Sequence, residues 1–189
     1  MPNLYFLDGR PEDAVPGYER FTSLAPWHPK SQDYLFAAAS IYSQDLDSLD
    51  QTIRVHEEIL ERDPTNAEAA YYLGRNYWDK ALPADAPSIG EPFDEQRFGI
   101  AMAAIDQSLV RKSLGYFDSA IRENHCDALW YGANAAASLN EFEKALDYFT
   151  RYIRCGSDSE LLAIAEAMSG VMRRQIARMH GDPDWPMRE

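Results

Sequence analysis

From Ser31 onward, apolar residues return at helical spacing almost without a break, and polar clusters fall where helices would turn. The pattern predicts helices over Asp33–Gln44, Leu49–Arg62 and Ala67–Lys80, and a long one over about Phe98–Asn124. Three more follow: Cys126–Ser138, Phe142–Arg154 and Ser159–Met179. Ser48-x-x-Gln51 and Thr65-x-x-Glu68 read as capping boxes, and Asn140-x-x-Glu143 and Ser157-x-x-Glu160 as further N-terminal caps. Asp63-Pro64 ends the second helix, because proline disfavours helical geometry in the residue before it. Gly156 reads as a C-terminal stop.

Two regions break the pattern. Residues 1–30 are rich in Pro, Gly and charge, and read as an irregular arm with Tyr18 and Trp27 as aromatic anchors and one short helix near Glu12–Phe21. Residues 82–97 carry Pro83, Pro87, Gly90 and Pro92 among acidic side chains, and read as an insertion inside the helical domain 31–180. A loop of that length within a domain is often functional; the plainer reading is a surface excursion. Residues 181–189 read as a tail.

The helices also repeat. Ala67-Glu-Ala-Ala-Tyr-Tyr-Leu-Gly74 and Cys126-Asp-Ala-Leu-Trp-Tyr-Gly-Ala133 say the same thing 59 residues apart. Asp33-Tyr-Leu-Phe-Ala-Ala-Ala-Ser40 is a fainter copy, 34 residues before the first. A period of 34 is the mark of a helix–turn–helix repeat. One such unit cannot bury its own apolar face, so it stacks on a neighbour and leaves a concave surface.

The segment Ala128–Tyr152 resembles a tetratricopeptide repeat. Trp130, Tyr131, Gly132 and Ala133 stand on its first helix, Leu139-Asn140-Glu141-Phe142 in its turn, and Ala145, Phe149 and Tyr152 on its second. A second unit matches through Leu73, Gly74 and Tyr77, is interrupted by the insertion, and resumes at about Ser113 with Phe117 and Ala120. A first, weaker unit keeps the length, with Phe36, Ala39, Ile59 and Pro64. It has Ser43 and His56 where aromatics are usual. The resemblance covers roughly residues 31–155. It implies an all-α fold: a short right-handed α-solenoid of about three helix pairs, with Ser159–Met179 as a C-terminal capping helix bearing Arg173, Arg174 and Arg178 outward.

The resemblance also implies a binding face, the groove lined by the first helix of each unit. It would draw Tyr34, Ala37 and Ile41 from unit one. Unit two would add Glu68, Tyr71, Arg75, Trp78 and Asp79, and unit three Asp127, Trp130, Asn134 and Ser138. Of these, Tyr34, Tyr71, Arg75, Trp78, Trp130 and Asn134 are the expected partner-binding residues. Aromatics with an arginine are the composition of interface hot spots. The competing reading packs Tyr71, Trp78 and Trp130 between helices. Relatives that capture the acidic C-terminus of heat-shock chaperones use a clamp of Lys, Asn and Arg. Here Ala37, Ile41, Tyr72, Asp127 and Tyr131 stand in those places, so a carboxylate would gain no charge-assisted hydrogen bonds.

Composition narrows the partners. A net charge of −13 argues against nucleic acid and anionic membranes. No apolar run is long enough to span a bilayer, so no membrane insertion is expected. The first residues do not form a signal peptide, and a cytoplasmic location is expected unless a leader has been removed. The four histidines are scattered, and His56-Glu57-Glu58 lacks the second histidine of a zinc-protease helix. His125-Cys126 with Cys155 is the nearest approach to a metal set; two ordinary cysteines and a loop histidine is the preferred reading. Cys126 starts one helix and Cys155 ends its antiparallel partner; the sequence leaves their pairing open, and a disulfide there requires an oxidising compartment. No catalytic residue, cofactor or metal is expected. The expected function is a non-enzymatic interaction module, an adaptor or chaperone-like protein binding a protein or peptide in its groove. Small acidic three-repeat proteins of this kind resemble bacterial secretion chaperones. The alternative is a small-molecule-binding accessory subunit with residues 82–97 as a lid. Homo-oligomerisation is the default if neither holds.

Overall fold

The computed structural model describes residues 11–83 and 104–181, and among these the chain forms eight α-helices after a short 3-10 turn at Pro11–Asp13. They are α1 (Val15–Leu24), α2 (Ser31–Gln44), α3 (Leu49–Arg62), α4 (Ala67–Ala81), α5 (Gln107–Arg122), α6 (Cys126–Ser138), α7 (Phe142–Cys155) and α8 (Ser159–Met179). Each packs on the next in sequence, and α4 also touches α6. The fold is an all-α solenoid. Most of the expected insertion and tail, the start of the expected long helix and the first ten residues lie outside the described residues.

The buried side chains show why the helices form a row. They fall into four clusters strung along the chain. Ala14, Val15 and Tyr18 meet Ala38 and Ile41 between α1 and α2. Leu35 and Ala39 meet Val55, Ile59 and Ala69. Ile53, Leu73 and Tyr77 join α3 to α4. The largest cluster runs from α4 to α8 around Phe117 and Phe149. A bundle would close these into one centre; a solenoid passes burial from unit to unit. Small residues set the spacing. Gly74 lets the Phe117 ring lie against the α4 backbone, and the Ser113 hydroxyl donates to the Gly74 carbonyl at 2.7 Å.

Polar pairs clasp the same seams. Tyr77 donates to Glu57 at 2.9 Å while Lys112 bonds the Tyr77 hydroxyl, tying α3, α4 and α5. Asp118 accepts from Lys144 at 2.6 Å and from Tyr148 at 2.8 Å, tying α5 to α7. Burial, and then Asp118, raise the Tyr148 pKa, so the phenol keeps its proton and donates.

Several local expectations need correction. Two helix starts are capped by a residue other than the expected one, and two have no side-chain cap. Asn66, not Thr65, caps α4, its side chain accepting from Ala69 N–H at 2.9 Å. Asp158, not Ser157, caps α8 through Glu160 and Leu161 N–H. Ser48 precedes α3 without a side-chain cap, and Glu141 precedes α7 likewise. Asn140 instead has φ of 60°, the left-handed conformation that turns α6 into α7. Within the described residues the expected long helix is interrupted at Ile105 and Asp106, and α5 starts at Gln107. There Asp106 leaves helical geometry, and its carboxylate accepts from Ser108 and Leu109 N–H. The Asp106 N–H donates to the Ala81 carbonyl at 3.0 Å, so the end of α4 and the start of α5 meet. That closure lets α4 and α5 pair as one unit despite the insertion. In the N-terminal region Tyr18 is a buried anchor, whereas Trp27 is 90 % exposed. Cys126 and Cys155 are joined as a disulfide that ties the start of α6 to the end of α7.

Candidate functional site

The side chains that make up a surface between α4 and α6 come from two periodicities. On α4, Tyr71 and Arg75 are four residues apart and share a face. On α6, Tyr131 falls on the first turns, directed back across the seam. The Arg75 guanidinium lies over the Tyr131 ring, 5.0 Å from its centroid. Tyr71 and Tyr131 meet at 5.9 Å, and Tyr131 stacks on buried Phe117 at 5.9 Å. Tyr71 also stacks on His125 at 4.3 Å and leans on Tyr72 at 5.4 Å. Four tyrosine and histidine rings and one guanidinium thus form a continuous patch across the two units.

Its electrostatics follow from burial. Tyr71 is only 9 % exposed. Burial, with Tyr131 adding, pushes its pKa up to about 12; the hydroxyl stays neutral. Burial disfavours the Arg75 charge, and Tyr131, Tyr71 and Asp79 together outweigh it, so the pKa is raised. Arg75 therefore remains a cation in an aromatic setting, held from behind by Tyr131. Its Nε is buried and bonds nothing within the described residues. The patch can offer a planar donor, two aromatic faces and the half-open Tyr72 ring, and it contains no nucleophile–base pair.

The expected site residues separate into three settings. Tyr71 and Arg75 belong to this patch. Trp78 is partly buried against the main core cluster. Trp130 is turned the other way, toward α7, with Phe149 at 5.8 Å and Tyr152 at 5.7 Å. The Asn134 amide donates to the Trp130 carbonyl at 2.8 Å, a bond within its own helix. Tyr34 stacks on Tyr18 at 5.1 Å and meets Phe21 edge-on at 4.9 Å, so α1 covers it; Ile41 is buried beneath the same helix. Tyr131 and Tyr72, absent from the expected set, supply the exposed part of the patch. Their signal was present: both stand in places where a peptide-capturing clamp puts cations.

Among the described residues no group of three His, Cys, Asp or Glu side chains is arranged to hold a metal ion. Within the same limits, no helix is long and apolar enough to cross a membrane.

Comparison with known proteins agrees with this architecture. Residues 98–160 match the tetratricopeptide repeat family. No curated protein matches the chain in sequence. The crystal structure of MamA aligns over 96 % of this chain and 97 % of that one, with 15 % identity and a TM-score of 0.55. A thermophilic TPR protein of Thermus thermophilus aligns over 96 % and 89 %, with 14 % identity and a TM-score of 0.53. At such identities the likeness is one of fold. The chain thus matches the tetratricopeptide repeat family in sequence across α5, α6 and α7, and shares the fold of such proteins along its length.

Proposed function

We propose that this chain, whose fold is that of a protein-interaction module, is a non-enzymatic adaptor or chaperone-like protein that holds a segment of a protein partner against Tyr72, Arg75 and Tyr131. The observation that carries this reading is the Arg75 guanidinium over the Tyr131 ring, rigid, charged and flanked by tyrosines. Such residues dominate binding energies at interfaces, because they lose little conformational freedom when a partner covers them. The small-molecule reading depends on residues 82–97 as a lid; most of them lie outside the described residues, and no feature of the patch favours it.

The test is affinity capture from native extract with matched variants. Arg75→Ala and Tyr131→Ala should each lose the captured partner, and Tyr34→Ala, beneath α1, should keep it. An identical set of partners from all three variants overturns the reading. The Cys126–Cys155 bond supports an oxidising compartment over the cytoplasm expected from the sequence, and thiol counting on freshly extracted protein decides between them.

A further inference from the structure

One unit before the tyrosine patch, α2 and α4 stand apart on either side of α3 and leave a cleft of about 180 Å³. It opens where the first unit departs from the repeat pattern. Ser43 and His56 occupy positions where aromatics are usual, and a serine leaves unfilled the space that a ring would take. Ser40, Ser43, His56, Glu68, Tyr72 and Asn76 line it, with Phe36 forming one wall.

His56 defines its chemistry. The residue is 4 % exposed. Its Nδ1 bonds the Thr52 carbonyl at 2.9 Å, and since a carbonyl only accepts, Nδ1 carries the proton. Nε2 is therefore an acceptor, and no described residue donates to it. The ring is fixed between Phe36, edge-on at 5.9 Å, and Tyr72, stacked at 5.3 Å. Glu68 adds a carboxylate that has no ion-pair partner among the described residues. Asn76 Nδ2 is buried with no hydrogen bond. A half-turn of that amide keeps its shape and puts the oxygen there instead, a third acceptor awaiting a donor. No lysine or arginine lines the cleft.

We propose that this cleft receives the cationic end of one side chain, a guanidinium or ammonium group, carried by the partner segment. The proposal rests on the reading that a partner lies along the inner face of the repeats. Three acceptors, one of them the carboxylate of Glu68, and two aromatic walls match a multi-donor cation. An anion would face the Glu68 carboxylate and find no cation in the lining, only neutral hydroxyl and amide donors. The size selects a side chain over a whole ligand, because small-molecule sites run to about 300–1,000 Å³. A net charge of −13 draws basic segments toward the molecule from a distance.

The probes are N-acetyl-arginine amide, its neutral isostere N-acetyl-citrulline amide, the pentapeptide Ala-Ala-Arg-Ala-Ala and the free amine agmatine. Binding is read by NMR at the His56 ring and at the amides of Ser43 and Asn76. Saturable shifts confined to these residues are expected with the arginine amide and the pentapeptide, at roughly millimolar dissociation constants. Citrulline should bind about tenfold more weakly or worse, as should arginine to Glu68→Gln. His56→Phe and Ser43→Tyr restore the usual aromatics; both should stay folded and lose the shifts. Citrulline binding as well as arginine, or arginine binding unchanged in Ser43→Tyr, overturns the proposal. Agmatine binding while the pentapeptide does not would assign the cleft to free amines and overturn the side-chain form of it. The two readings fail separately. Capture lost in Tyr131→Ala with no arginine shifts removes the cleft and leaves the patch. Arginine shifts together with unchanged capture by the patch variants do the reverse.

Discussion

Gly74 on α4 and Phe117 on α5 are in direct contact, the ring lying where a side chain at position 74 would begin. A β-carbon there would stand 2.5 Å from two ring carbons, and Phe117 is fully buried with no room to retreat. Gly74→Ala should therefore cost about 1–3 kcal/mol, as overpacking in a filled core does. Gly115, whose β-carbon would meet nothing within 4 Å, is the control. Gly115→Ala should stabilise by about 0.5–1 kcal/mol through helix propensity alone. Urea unfolding midpoints of the two variants should move in opposite directions.

The first turn of α4 gives a second prediction. Asn66 accepts from the Ala69 N–H, so Asn66→Ala should lose about 1 kcal/mol. Thr65 bonds only the Asp63 side chain at the surface, and Thr65→Ala should change stability by less than about 0.5 kcal/mol. Equal losses would return the cap to Thr65.

Stability should depend on pH through His56. Burial lowers its pKa from 6.5 to about 4. In that interval the unfolded chain binds the proton and the folded chain refuses it, so stability rises with pH there. The contribution is whole above 6.5 and is lost as pH falls toward about 4. The full loss is about 3 kcal/mol. Chemical denaturation across this range should show the slope in the parent chain and a much flatter one in His56→Phe.

The Cys126–Cys155 bond closes a loop with a sequence separation of 29. By loop entropy it contributes about 3.6 kcal/mol. Reductant should lower the unfolding midpoint accordingly and leave the Cys126→Ser, Cys155→Ser double variant unmoved. A midpoint indifferent to reductant in the parent would mean that the thiols do not pair in solution.

The repeat and most helix limits were legible because they rest on periodicity. Leu49–Arg62, Cys126–Ser138 and Ser159–Met179 follow directly from apolar spacing. The caps were harder. Thr65-Asn66 and Ser157-Asp158 each offer two capable side chains in a row, and only the backbone conformation decides which oxygen faces the free N–H groups. The site was legible by half. Tyr71 and Arg75 share a helix face, which spacing reveals. Their link to Tyr131 crosses from one unit to the next and depends on how closely α4 approaches α6. Trp130 has the residue type of a groove anchor, yet it lies against α7, where Phe149 and Tyr152 offer it more apolar area. His56 was visible only as a departure from a pattern; a cleft behind it needs Ser43 to be small and α2 to stand off from α4 at once.

The four buried clusters have a further consequence. Because burial is shared only between neighbours, the molecule has no single keystone, and order can be lost from one end without reaching the other. The amino-terminal pair rests on the smaller clusters and flanks a cleft, while the carboxyl-terminal half holds the largest cluster and the covalent staple. Fraying should begin at α1 and α2, and the remnant that persists should still display Arg75 and Tyr131.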